Sequence, residues 1–191
     1  MRFHLLTVVW GHDFTDRFAR VTLRSLLAPG NLPALAAEHE VVYDIHTTSA
    51  DAERLGAHSV FREAARHVKF RIHRFSLAEI DPGNPSSHWL LWHRGADQLR
   101  EDDDVLITVA ADHLFRRDTL SRWAALFLGG RLAVFGSGVQ VVVETLQEEI
   151  EKSFPMPNPI DLGVEDMNAL MFRHLHPMKI TMLRGSPRWI S

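Results

Sequence analysis

The sequence predicts an α/β fold, an open and mostly parallel sheet with helices on both faces. Three observations carry this. Short apolar runs alternate with stretches of helical spacing from the start of the chain. The units repeat at about 30 residues, enough for right-handed crossovers between parallel strands. Finally, "ITVAADHLFRRDTL", 107–120, begins with an apolar run lacking polar alternation and meets Asp112 and His113 at its end. A strand covered on both faces reads this way.

Residues 3–9 read as the first strand, and 15–27 carry helical spacing through Phe18, Val21, Leu26 and Leu27. Pro29 and Gly30 in "APGNLP" stop that helix. A second strand covers 41–46, and a single helix over 50–66 turns Leu55, Val60, Phe61 and Ala64 inward. In the third strand, 68–75, Val68, Phe70 and Ile72 alternate with Lys69, Arg71 and His73. A period of two places it near a sheet edge.

"DPGNPSS", 81–87, is a loop, and Ser87 is placed to cap a helix over 88–99 with Trp89, Leu90, Leu91 and Trp92 inward. The acidic run 101–104 precedes the strand 105–110. It lies at the sheet end opposite the usual ligand side and reads as a solvated turn. Asp118 caps a helix over 119–128, which Gly129 and Gly130 end. Short strands are expected at 132–135 and 139–143, and helices at 144–152 and 162–175 on either side of "FPMPNP".

At 191 residues the chain has the size of one domain, 1–191, as a whole or as a module of a longer chain. A net charge of −3 gives no reason to expect nucleic acid as partner. The absence of cysteine removes disulfides and thiolate metal sites and fits a cytoplasmic location. No apolar stretch approaches the roughly 18 residues a membrane helix needs.

Several chemistries are excluded by what is missing. Gly11 stands alone after the first strand, so no glycine loop admits a dinucleotide pyrophosphate. P-loop, Gly-x-Ser-x-Gly and His-Glu-x-x-His patterns are absent. In an open parallel sheet, ligands bind beyond the carboxyl ends of the strands. That rule selects "WGHD" with Trp10 and Gly11, "TTSAD" with Thr47 and Thr48, and "ADHLF" with Asp112 and His113. Trp10 suits stacking on a base. His88, His93 and Asp97 share a helix face.

These strand ends resemble the GT-A, Rossmann-like fold of nucleotide-sugar-dependent glycosyltransferases. The ordered set "LLTVVWG", "SLLAPGNLP", "ADHLFRRDTL" and "RHLHP" is similar to a bacterial group related to that superfamily. The resemblance implies a nucleotide-sugar donor, an acceptor yet to be identified, and a divalent cation, Mn or Mg, on the diphosphate. It gives Asp112 and His176 to the metal, and His93 and Arg94 to the phosphates beside Trp10, Gly11 and Thr47. Glu165 and Asp166 in "GVEDMNAL" correspond to the catalytic base of inverting members. Two residues beyond Asp112, where a second acid of an Asp-x-Asp pair is expected, stands Leu114. A catalytically inactive binding or assembly domain of a larger protein is the alternative. A third reading is a metallohydrolase using His113, His174 and His176.

Overall fold

The computed structural model describes residues 1–81, 84–97, 104–136 and 138–184. Four parallel strands, β1 Arg2–Val8, β2 Glu40–Thr47, β3 Lys69–Arg74 and β4 Asp104–Thr108, lie in the order β3-β2-β1-β4. The expected sheet is present, and β3 is indeed an edge strand. Helix α1, His12–Arg17, follows β1 and runs through a π-helical stretch, Phe18–Leu23, into α2, Arg24–Leu26.

Between α2 and β2 comes a further helix not expected from the sequence, α3, Leu32–Glu38. The stop expected at Pro29 and Gly30 is present, α2 ending at Leu26, and Pro33 sits in the first turn of α3, where a missing N–H costs nothing. The single helix expected over 50–66 is two, α4 Ser49–Ala57 and α5 Ser59–Ala64. They meet at His58, whose extended backbone breaks the run and whose side chain accepts from the Val60 N–H. Helix α6, Pro85–Ala96, begins earlier than expected, and Ser87 ties back to the main chain of Asp81 instead of capping it. Leu91 is buried on α6, but Trp89 and Leu90 face solvent, contrary to the inward packing expected of them.

The strand at β4 stops at Thr108, and α7 is Thr119–Leu128 as expected. Asp118 is left-handed and makes no cap bond; the buried Asn31 supplies that acceptor to the Leu120 N–H from another part of the chain. The strands expected at 132–135 and 139–143 do not form. Among the described residues only one antiparallel bridge, Val141 to Leu175, occurs there. Helices α8 Val143–Ser153, α9 Val164–Arg173 and α10 Pro177–Arg184 complete the described chain.

Register decides which side chains share a face, since neighbours alternate along a strand. Phe3 and Leu5 align with Val41, Tyr43, Val105 and Ile107, and with Ile45 they form the main core beneath Phe18, Leu23, Leu26, Leu35, Val60 and Leu120. The opposite face carries Leu6 and Val8 under α6. Gly95 sits so close to Leu6 that a Cβ there would come within 2.5 Å of Leu6 Cδ2. A separate apolar cluster joins Leu146, Ile150, Met167 and Leu170 of α8 and α9 to Val21.

Candidate functional site

The carboxyl ends of β1, β2 and β3 open onto a groove of about 700 Å³ lined by Trp10, Gly11, Thr48, Asp51, Arg54, Arg74 and Phe75. Asp51 organises it. Thr48 caps α4 by accepting from the Asp51 N–H at 3.2 Å, and its hydroxyl donates to Asp51 Oδ2 at 2.7 Å. The Gly11 N–H donates to the same oxygen at 2.9 Å, and Arg54 donates to Oδ1 at 2.6 Å. The loop after β1 is thereby fastened to the helix after β2. Burial opposes the Asp51 charge, but the bonds from Thr48, Gly11 and Arg54 outweigh it and hold the carboxyl below the ordinary aspartate range.

Gly11 has φ +84°, a conformation that other residues adopt at a cost, and the space where a Cβ would lie is open. Trp10 packs edge-on against Phe75 with ring centroids 5.8 Å apart. Behind both lies a small cluster of Val8, Ile80 and Leu91 that fixes this aromatic wall. The Arg54 side chain is 50% exposed and Arg74 ends β3 at the surface. An aromatic wall, two guanidinium groups and the first turn of α4 together suit a flat ring joined to an anionic group.

Few of the residues singled out from the sequence line this groove. Trp10 and Gly11 line it. Thr47 is buried with an unpartnered hydroxyl among the described residues, and its successor Thr48 is the one in the wall. His93 and Arg94 are exposed in the last turn of α6, with Arg94 3.8 Å from Glu79. Asp112 and His113 are exposed in a turn beyond β4. Leu114, two residues beyond Asp112, packs against the apolar cluster of α8 and α9. Glu165 and Asp166 are exposed in the first turn of α9.

His176 takes a place at the start of α10, its Nδ1 accepting from the Met178 N–H. His174 spends both ring nitrogens, on Thr145 at 2.8 Å and on Glu149 at 2.7 Å. The metallohydrolase reading loses its central ligand for that reason. Among the described residues, no three His, Cys, Asp or Glu side chains gather where they would hold a metal ion.

Arg54, Arg74 and Phe75 were not expected from the sequence, and Asp51 lay in the selected stretch "TTSAD" without being singled out. Thr48-Ser49-Ala50-Asp51 did carry a signal, the Thr-x-x-acid spacing of a helix start. No local signal marks Arg74 and Phe75, whose place depends on strand register.

No family model matches the chain, and neither does any curated protein sequence. A solved structure does. The apo form of mouse xyloside xylosyltransferase 1 is similar to the chain at 16% identity and a TM-score of 0.42, over 100% of this chain and 73% of that one. An overlap this loose transfers no site or substrate. The fold assignment rests on the sheet itself.

On the other sheet face a layer of ionisable groups crosses the strands. Asp44 accepts from Arg71 Nε at 2.7 Å and from His73 Nε2 at 2.6 Å, and His4 Nε2 lies 3.3 Å from the Asp104 carboxylate. Asp104, read from sequence as part of a solvated turn, instead has a side chain only 2% exposed. His46 stacks on His73 with centroids 4.5 Å apart, and its buried Nε2 meets no partner among the described residues. Burial first, then His73, push the His46 imidazole from 6.5 down to about 4; Asp44 opposes and Arg94 assists.

A histidine with a lowered folded pKa binds fewer protons folded than unfolded. Its environment therefore costs nothing above pH 6.5 and costs progressively more as pH falls toward 4. The full effect is on the order of 3 kcal/mol. Urea midpoints should fall between pH 6.5 and 4, and His46→Phe, which keeps the ring stack, should flatten that fall. An unchanged pH profile in the variant would refute the assignment.

Proposed function

We propose that the chain is a glycosyltransferase-like domain that seats a nucleotide-sugar in the groove at the strand ends. The observation that carries this reading is the presence of Trp10, Arg54 and Arg74 in one groove beyond the carboxyl ends of three parallel strands. The base stacks on the Trp10 wall, and the diphosphate lies against the guanidinium groups and the first turn of α4.

Asp112 offers one carboxylate. It would hold a hard divalent cation, Mn or Mg, with phosphate and water as the remaining ligands; His176 Nδ1 is taken by the Met178 N–H, which leaves the proton on Nε2 and no lone pair for a metal. Such an ion would neutralise the departing diphosphate. Glu165 or Asp166 takes the proton of an acceptor hydroxyl while its oxygen bonds the anomeric carbon and the nucleoside diphosphate leaves. The alternative, a binding domain without turnover, is favoured by one observation. Ala110 and Leu114 flank Asp112 at two residues on either side, and neither supplies a second carboxylate.

Thermal unfolding with UDP, GDP, ADP and CDP in the presence of manganese tests both readings. At least one nucleotide should raise the melting temperature, and Trp10→Ala and Arg74→Ala should each remove the rise. No rise with any nucleotide overturns the proposal. A rise with no hydrolysis or transfer of the matching nucleotide-sugar assigns the binding domain.

A further inference from the structure

A second cavity of about 260 Å³ lies between α1 and the corner of α4 and α5, with Arg54 in the wall of both it and the groove. Its polar lining consists of His12, Thr15, Asp16, Arg54 and His58. The two carboxylates near it are each paired with an arginine. Asp16 pairs with Arg20 at 3.2 Å, and Asp51, behind Arg54, receives three donors.

Donors remain, although His12 Nδ1 already lies 3.2 Å from Asp13 Oδ1. His58 Nδ1 accepts from the Val60 N–H at 3.3 Å, so the neutral ring carries its proton on Nε2. Arg54 bonds Asp51 through one terminal nitrogen only, and its side chain is half exposed. In the floor, the buried Thr15 hydroxyl has no partner among the described residues. Arg20, Arg24 and Arg62 also act on His58, against the single acid Asp16. A pocket with unspent donors selects a ligand made of acceptors.

We propose that this cavity, apart from the nucleotide groove, is a binding site for a small oxyanion held by His58, Arg54 and His12. Phosphate and carboxylate share the required chemistry. A bound anion favours the charged imidazole, whereas burial, opposed by Asp16 and helped by Arg20, Arg62 and Arg24, disfavours it. Binding therefore takes up a proton and tightens as pH falls through the histidine range.

The test uses the whole chain with inorganic phosphate, against chloride at equal ionic strength. Phosphate should raise the melting temperature beyond chloride and move the His58 ring-proton titration to higher pH. His58→Asn keeps a capping acceptor for Val60 but removes Nε2, and it should weaken phosphate about tenfold. Thr15→Val removes the unpartnered hydroxyl without changing side-chain shape; it should weaken phosphate with no loss of stability. If His58→Asn does not fold, the surface change His12→Gln serves in its place.

Acetate in the same experiment decides the ligand class, an equal response assigning a carboxylate and a weaker one phosphate. Equal effects of phosphate and chloride overturn the inference, and so do variants that bind phosphate like the parent. A phosphate response lost in Trp10→Ala places the ion in the groove and also overturns it. Nucleotide binding should survive Thr15→Val and His58→Asn, so failure of this site and failure of the proposed function are distinguishable.

Discussion

Arg24→Met should lower unfolding stability by about 3 kcal/mol or more, because three backbone carbonyls lose their charged donor at once. The Arg24 side chain is fully buried. Its Nε donates to the Asn158 carbonyl at 2.7 Å, one terminal nitrogen to the Arg20 carbonyl at 3.2 Å, and the other to the Phe154 carbonyl. The Arg24 carbonyl in turn accepts from the Ile160 N–H at 3.2 Å. One residue thus pins the loop between α8 and α9 to the segment leading out of the π-helical turn.

Lysine should recover less than half of the loss, since an ammonium cannot reproduce the spread of a guanidinium fork. The exposed neighbour Arg20, paired with Glu151 at 2.7 Å, provides the contrast, and Arg20→Ala should cost about 1 kcal/mol or less. Urea midpoints for the three variants check this order. If Arg24→Met proves no worse than Arg20→Ala, the loop is not held in this way.

Asp51→Ala should cost about 2–4 kcal/mol and also abolish any nucleotide response of the groove. The carboxylate is 4% exposed and takes its bonds from three separate places, the Gly11 main chain, the Thr48 hydroxyl and Arg54. Without it, the loop carrying Trp10 is no longer fastened to α4, and Arg54 loses the contact that orients it. Asp51→Asn should retain part of the stability, because its carbonyl oxygen still accepts, and lose the ion pair. The depressed carboxyl pKa means this contribution is present above the usual aspartate range and lost only as pH falls below it. Equal melting temperatures for parent and Asp51→Ala at neutral pH would refute the assigned role.

β1 and β2 were readable because they are buried within a parallel sheet, where composition alone marks the run. Even the edge position of β3 showed in its alternation of Lys69, Arg71 and His73 with apolar neighbours. Helix boundaries were harder. Nothing local announced α3 after the stop at Pro29 and Gly30, and His58 breaks a run whose apolar spacing continues on both sides. The expected strands over 132–135 and 139–143 failed for a different reason. β-propensity needs a neighbouring strand to be realised, and none lies beside those residues among the described ones.

Of the groove, Trp10 and Gly11 were visible because they directly follow a strand. Arg74 and Phe75 were not, since only the pairing of β2 with β3 brings the end of the third strand beside Trp10.

By itself the sequence determined the parallel α/β class and the four strands, and it pointed to the strand carboxyl ends where the groove opens. These follow from burial patterns written into each segment. Tertiary structure alone decided that Asp51 joins two strand-end loops, that Arg24 holds a distant loop, and that His4, Asp44, His46 and Asp104 share one sheet face. Each of these depends on register and crossover geometry between segments far apart in the chain, which no local pattern encodes.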